Sequence, residues 1–527
     1  MIIKTDQSTF AHYLEDASGM LGANAEKVYI PETKEEVSAL LRECSEKKIP
    51  VTVAAGCTGV TGGCLAYGGV ILSTEKFNNI GRIEDWKHQQ QTANYNYNDT
   101  GLPRAKALAM TDNRQETATI RVGSGAIVNE IKKYVLDNGW MYAPDPTEKN
   151  ATIGGNISTD ASGGRGFKYG TTRKYINALE IVFADGSYAE IKRGETFASE
   201  DGTITLKTNL GEKILHLPKY NLPNIKNAAA YYNYKNADLI DIFIGHEGTL
   251  GVIISAELIL IRPFEMLFGG IIFFDKKESS WDFVKEIREL SDKNKKSGDV
   301  DINAMSVEYF DKNALNLIKP YYPIIPENVD AGILFEQDCT KETYDILMEK
   351  WVNIIEKYEI NTDNVWFASD AKQQEEFRIF RHKIPECVNE IVKKNKIPKV
   401  GTDVAVPHDK LHEMIYFCEQ KFNENKLFNL TFGHIGESHL HANIIAATQE
   451  EYERCKSLYL EIARKAVSLG GTVTAEHGIG KVKHHFLQAM LGKEGIEEMR
   501  KFKLSLDPAN ILGRDNMFES VERYNKK

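Results

Sequence analysis

The sequence predicts an α+β protein of two domains, and three observations carry this. At 527 residues the chain is too long for a single core, since domains usually run to roughly 100–200 residues. Glycine-rich links join short apolar segments throughout the first half. After Pro263 the texture changes to strand and helix patterns such as LFGGIIFFD, SSWDFVKEIRELSD and ETYDILMEKWVNIIEKY, as expected of a domain built on an antiparallel sheet with helices. The expected domains are therefore residues 1–263 and 264–527.

Taken in order, residues 28–73 read as a βαβ unit. VYIPET is a strand entering a turn. KEEVSALLRECSEKKI has apolar residues at helical spacing, with Glu35 and Glu36 near its start and lysines at its end. PVTVAAG and GGVILST are two further strands, joined by the glycine-rich AAGCTGVTGGCLAYGG. Residues 84–117 are polar and aperiodic and read as a surface excursion of one hairpin. TIRVGSGAIVNEIKKYVLDNG follows as strand, glycine turn and amphipathic helix. A second glycine-rich loop, ATIGGNISTDASGGRGFKYG, leads into the strand ALEIVFADGSY with its Asp-Gly turn. Residues 187–240 read as polar and irregular, and LIDIFIGHEGTLGVIISAELILIRP as strand, glycine-rich turn and strand.

Composition excludes several classes of function. The net charge is −10, whereas nucleic-acid binding needs a concentrated basic face. No apolar run reaches the roughly 18 residues of a membrane span, and the N-terminus lacks the basic and apolar regions of a secretory signal. The seven cysteines form no CxxC pair, so a disulfide framework or a cysteine-ligated cluster is not expected. Reduced thiols in a cytoplasmic protein fit best.

Glycine permits positive φ and lets backbone N–H groups converge on an anion, so three such loops in one half fit a long cofactor with a central pyrophosphate. The plain alternative is tight turns in a glycine-tolerant sheet. Neither GxGxxG before a helix nor GxxxxGK[ST] occurs. VAAGCTGVTGG, PDPTEKNATIGGNISTDASGGRGFKYGTTRKYINALEIVFADG and FIGHEGTLGVI together resemble, in order and spacing, the FAD-binding half of the vanillyl-alcohol-oxidase-type (PCMH) flavoproteins. The most similar branch is the FAD-linked D-lactate, D-2-hydroxyglutarate and glycolate dehydrogenases, over about residues 28–518. The resemblance implies a PCMH-type FAD-binding domain followed by an FAD-linked-oxidase cap domain. It implies that Gly56, Thr58, Gly59, Thr61 and Gly62 cradle the pyrophosphate. Pro144, Thr152, Gly154, Gly155, Asn156, Thr159, Gly164 and Tyr169 would line the cofactor. Glu247, Gly248, Gly251, Val252 and Ile253 would close over the adenine side. The chain departs from the pattern at Ala54, Cys57 and His246, where arginine, glycine and serine are common.

The remaining chemistry lies in TFGHIGESHLH (431–441) and TAEHGIG (474–480). NLTFGHI and SHLHANII read as strands joined tightly at Gly436-Glu437, which sets His434 beside His441 and places His439, His441 and Asn443 on one face. GGTVTAEHGIGKVK reads as a strand entering a glycine turn, with Glu476 and His477 pointing to opposite sides. On the residues alone, a satisfied polar pair and a metal site are both open. Two histidines and a carboxylate are a usual ligand set for a catalytic divalent ion such as zinc, manganese or iron. The family motifs read GHxGDGNLHxN and EHGIG. By position, His434, His441 and Glu476 resemble metal ligands, His477 the catalytic base and Asn443 a substrate contact. Glu437, Ser438 and His439 replace the family's Asp-Gly-Asn. For the substrate carboxylate, Arg378 and Arg381 lie on a helical stretch expected to end or kink at Pro385. Arg381 is the better match, and Lys483 is a further candidate.

The resemblance thus implies FAD-dependent oxidation of a D-2-hydroxy acid, D-lactate first, to the 2-oxo acid. Metal-assisted deprotonation would accompany hydride transfer to flavin N5. A quinone, a carrier flavoprotein or a cytochrome is the expected electron acceptor. Peripheral membrane association and a homodimer are both compatible with this reading. Two alternatives remain: an ether-lipid-type (alkylglycerone-phosphate) synthase using FAD without net redox, and a non-catalytic flavoprotein subunit.

Overall fold

The computed structural model describes residues 1–85 and 117–519. Nearly all of the polar excursion expected over 84–117 lies outside the described residues. The fold is α+β, as expected, and is organised on three larger sheets and a hairpin.

The first sheet contains β1 (Ile2–Lys4), β2 (Lys27–Ile30), β3 (Val51–Ala54) and β4 (Val70–Ser73) in the order β1-β2-β4-β3. β2 and β3 both run parallel to β4, so the βαβ reading holds. Its helix α1 (Lys34–Lys47) starts where the Thr33 side chain accepts from Glu36 N, with Glu35 and Glu36 at the positive end of the helix dipole. Val37, Leu40, Leu41 and Cys44 form the buried stripe of α1 against Val51, Val70 and Leu72.

The second sheet takes β5 (Ile80–Asp85), β6 (Thr117–Gly123), β7 (Ile176–Val182) and β8 (Tyr188–Lys192), followed after the β9 (Thr203–Thr208)–β10 (Gly211–His216) hairpin by β11 (Val252–Ile261). Its order is β5-β6-β11-β7-β8, and every pairing is antiparallel. Three strands thus lie between 188 and 216, where an irregular stretch was expected. Residues 239–242 form one helical turn rather than a strand. Asp238 caps it by accepting from Ile240 N, a local bond that competes with a sheet ladder.

The third sheet holds β12 (Met266–Phe274), β13 (Ser306–Asp311), β14 (Ala331–Cys339), β15 (Val365–Ala368), β16 (Val400–Gly401), β17 (Phe428–Gly433) and β18 (His441–Ile445). The order is β15-β12-β14-β13-β17-β18-β16, antiparallel throughout. Helix 371–395 runs on through Pro385 instead of ending there. One contiguous apolar core joins the second and third sheets, with Phe335 stacked on buried Trp351 at 3.8 Å between ring centroids.

The last described segment returns to the first sheet. Ile511 and Leu512 pack with Val51 and Val70, and Val51 N donates to Ile511 O at 2.8 Å. Asp507, fully buried, sets this return by accepting from Ile511 N, Leu512 N and Lys503 Nζ. Removing one partner of a buried ion pair costs about 3–5 kcal/mol. Asp507→Ala is therefore expected to lower the unfolding free energy by about that much, read as a fall in the denaturant midpoint. An unchanged midpoint would show that the return segment contributes little.

Candidate active site

Two clefts border the histidine-rich segments: His477 lines the first, and Glu308, which holds His434, lines the second. The first, about 950 Å³ counting space open to solvent, is walled by Gly56, Cys57, Thr58, Gly59 and Thr61, by Thr152, Gly154, Gly155, Asn156 and Thr159, and by Glu247, Gly251, Ile253 and His477. The glycines are needed for close approach: a Cβ on Gly154 would lie 2.8 Å from Ser124 O, and one on Gly56 would lie 3.2 Å from Asn150 O. Cys57 takes φ +50°, the left-handed conformation that suits glycine, so this departure keeps the loop's backbone shape. Of the other cofactor candidates, Gly62, Pro144, Tyr169 and Val252 stand outside the lining of this cleft, and Gly164 lines the second.

The wall of the first cleft fits FAD. Asn156 Nδ2 and Ser124 Oγ are buried at it without a hydrogen-bond partner among the described residues. Leaving such groups unpaired costs free energy that a polar cofactor recovers.

The second cleft, about 1300 Å³ and open to solvent, is lined by Arg165, Glu308, Glu336, Arg378, Arg381 and His382, among others. Arg165 is held by Glu336 at 3.0 Å, and Arg378 by Glu375. Arg381 Nε lies 3.3 Å from Glu308 Oε2, too poorly aligned for a hydrogen bond.

β17 and β18 pair with Phe432 opposite His441. Their connection is not a tight two-residue link. It runs from 434 to 440 through a 3-10 turn at Ile435–Glu437 and Ser438 at φ +53°. Buried Arg288 holds this turn by donating to Ile435 O and Gly436 O, each at 3.0 Å, and His408 Nδ1 meets Ser438 Oγ at 2.7 Å. The result gathers three imidazoles: His434 to His441 5.6 Å, His434 to His439 5.4 Å and His439 to His441 4.4 Å between centroids.

The 472–483 segment is a loop rather than the expected strand, apart from one bridge between Thr472 and Ala405. Several of its N–H groups go to side chains instead of a neighbouring strand. His477 N donates to Asp403 Oδ2 at 3.0 Å, Ile479 N to Glu247 Oε1 at 2.8 Å and Gly480 N to Glu247 Oε2 at 2.6 Å. Thr474 Oγ1 and Lys483 Nζ also donate to Asp403. Lys483 is thereby buried against a carboxylate.

This loop delivers Glu476 to the imidazoles. Glu476 Oε1 lies 3.5 Å from His434 Nε2 and 3.3 Å from His441 Nε2. The other nitrogen of each ring is anchored, His434 Nδ1 by Glu308 Oε1 at 2.7 Å and His441 Nδ1 by Thr402 O at 3.2 Å. His439 Nε2 is held by Asp403 at 3.0 Å, and its buried Nδ1 has no hydrogen-bond partner among the described residues. His434, His439, His441 and Glu476 each present an atom within 4.8 Å of the others'. His477 stacks on His441 at 5.3 Å and 17°, with Nδ1 3.4 Å from Asp403 Oδ2 and Nε2 3.7 Å from Glu476 Oε1. Asn443 is buried beneath, donating to His441 O at 3.3 Å.

The electrostatics follow from burial and pairing. Burial works against the charged form of His434, but Glu308 and Glu476 overcome it and raise its pKa to about 9. Burial raises Glu308, yet Arg381 and His434 bring it down to about 2. His439 falls to about 3, chiefly by burial and then by neighbouring His441. His477 falls to about 4, burial outweighing the pull of Asp403, so its ring is neutral at pH 7.

Four residues at this site escaped the sequence reading: Asp403, Glu308, Lys226 and Ser162. Lone carboxylates inside the apolar runs GTDVAVP and MSVEYF were a usable signal for the first two. Lys226 comes from the polar 187–240 stretch, where nothing marks it. Its ammonium lies 3.0 Å from both Glu437 and Glu476. Ser162 Oγ donates to Glu476 Oε2 at 3.0 Å.

The family model of FAD linked oxidases, C-terminal domain, matches residues 284–517, and that of the FAD binding domain matches 25–95 and 102–192. The chain is 28% identical to glycolate oxidase subunit GlcD of Bacillus subtilis, over 97% of this chain and 93% of that protein. It is 26% identical to a D-lactate dehydrogenase of Anaerostipes hadrus, over 95% and 91%. To a D-2-hydroxyglutarate dehydrogenase of Xanthomonas citri it is 24% identical, over 98% and 94%. A solved alkyldihydroxyacetonephosphate synthase shares the fold at TM-score 0.61 and 15% identity, over 97% of this chain and 82% of that one. Among the described residues, no helix is long and apolar enough to cross a membrane. With both family domains in order and a glycine-walled cleft between them and the imidazoles, the chain belongs to the FAD-linked oxidoreductases of the vanillyl-alcohol-oxidase (PCMH) type.

Proposed function

We propose that the protein oxidises a D-2-hydroxy acid, D-lactate first, to the 2-oxo acid, with His477 as the general base. One observation carries this: His477 lines the flavin cleft and also stacks on the imidazole cluster. A hydroxy acid at that junction would have its C2 near the cofactor and its hydroxyl near a base. The relatives named as glycolate, D-lactate and D-2-hydroxyglutarate enzymes support the class.

FAD, when bound, supplies the acceptor for the two electrons leaving the substrate carbon. His434, His441 and Glu476 would hold a divalent ion, which would supply a Lewis acid for ionising the substrate hydroxyl. The donors suit such an ion: both Nε2 atoms face Glu476 Oε1, and both Nδ1 atoms are fixed by a carboxylate or a carbonyl.

The protein's own groups do the rest. Asp403 on the Nδ1 side of His477 keeps the proton there and leaves Nε2 to accept the hydroxyl proton. Arg381 is the cation for the substrate carboxylate: it is paired with Glu308 at 3.3 Å but its Nε makes no hydrogen bond there, whereas Arg165, Arg378 and Lys483 donate hydrogen bonds to acidic partners. With Arg381 as the one cation assigned to the substrate, a monocarboxylate is the first expectation. Asn443 would orient the substrate from below. A cytoplasmic protein that passes electrons to a quinone, a carrier flavoprotein or a cytochrome completes the reading.

Anaerobic D-lactate is expected to bleach the flavin absorbance, and L-lactate is not. A synthase working without net redox would leave the flavin yellow with either. His477→Ala is expected to slow bleaching per bound flavin by about 10²- to 10⁴-fold, the usual worth of a general base. An undiminished rate would remove His477 from that role. Treatment with a chelator is expected to slow bleaching, and added Zn²⁺ or Mn²⁺ to restore it. A stripped, metal-free protein reacting at full rate would contradict the metal assignment. Gly154→Val, which forces a side chain against Ser124, is expected to yield folded protein with little or no FAD, judged by the visible spectrum and circular dichroism.

A further inference from the structure

Glu476 has two faces. Oε1 looks toward His434 and His441. Oε2 accepts from Ser162 Oγ and from Lys226 Nζ, both at 3.0 Å. Lys226 is no surface residue: its side chain is 4% exposed, and Glu437 Oε2 holds it from the other side at 3.0 Å. The Glu437 carboxylate also lies close against Gly166, where a Cβ would come within 2.7 Å of Oε2. The ammonium is thus wedged between two carboxylates, one of them the carboxylate that meets both imidazoles.

We propose that Lys226 is a fixed cation built into the metal centre, which restricts Glu476 to coordination through Oε1 and weakens the centre's hold on a divalent ion. This rests on the reading of His434, His441 and Glu476 as metal ligands. The physical reason is twofold. Like charges a few ångströms apart inside a protein repel strongly. An oxygen already accepting from an ammonium and a hydroxyl is also a poorer donor to a second cation. The counter-carboxylate Glu437 keeps Lys226 in place, so an arriving ion cannot displace it cheaply. The ion therefore exchanges with solution instead of staying for the life of the protein, and metal loading tracks the free ion concentration.

The test measures metal affinity, not turnover. FAD-loaded protein is stripped with a chelator, dialysed, and titrated with Zn²⁺ in competition with a chromophoric chelator. Lys226→Met is expected to bind Zn²⁺ on the order of tenfold or more tighter than the parent. If Lys226→Met does not retain its flavin, Lys226→Gln makes the same comparison with a hydrogen bond to the carboxylates kept. A parent that binds Zn²⁺ and a variant of equal or weaker affinity would overturn the proposal while leaving the metal ligands standing. A parent that fails to bind while the variant binds would support Lys226 as the excluding group and remove the ion from the native reaction. If neither binds, both readings fall.

Discussion

The site depends on placing the Glu476 carboxylate where two imidazoles, an ammonium and a hydroxyl converge. A carboxylate taken out of water is costly unless its oxygens are fully engaged. Here His434 and His441 face one oxygen, and Lys226 and Ser162 the other. Burial pushes the Glu476 pKa up, but Lys226 and His434, and after them His439, hold it well below the ordinary carboxylate range. Around it stand Glu308, Asp403 and Glu437, each matched in turn by Arg381 and His434, by Lys483 and His439, and by Lys226. Neutral, well-packed side chains would be simpler to bury. A polar network this dense fits a binding function rather than stability.

The loop carrying Glu476 and His477 is held from both halves of the molecule. Glu247, beside the flavin cleft, accepts two of its N–H groups, and Asp403, next to β16, accepts a third together with Thr474 and Lys483. Burial raises the Glu247 pKa to about 7, against the pull of those two N–H groups. The loop is thus a clasp, and the position of His477 relative to the flavin cleft is set by two carboxylates far apart in sequence. This is the structural reason that one residue can serve a cofactor on one side and a substrate on the other.

Local signals made much of this legible in the sequence. The βαβ unit showed through the apolar spacing and acidic start of α1, and the cofactor cleft through glycine loops in which Gly154 is sterically necessary and Gly56 tightly packed. His441 showed through strand alternation, and His434 as the end of the strand paired with it by a hairpin. What was hidden depended on distant partners. The 472–483 stretch looks like a strand, but its backbone bonds go to carboxylates with sequence separations of 74 and 232 residues. Strands β9 and β10 alternate buried and exposed residues at Ile204, Leu206 and Leu215, a pattern masked by the polar residues around it. Pro385 lacks the donor a helix needs, yet packing of Phe380, Ile384, Cys387 and Val388 carries the helix past it. Lys226 gave no signal, because a lysine in a polar stretch reads as a solvated one.

The measurement that tests the account most directly is anomalous scattering from crystals of the FAD-loaded protein grown with Zn²⁺ or Mn²⁺. The account predicts a single strong peak at about 2.0–2.2 Å from His434 Nε2, His441 Nε2 and Glu476 Oε1, with Lys226 still paired to Glu437. A peak elsewhere, or none at saturating metal, would contradict it.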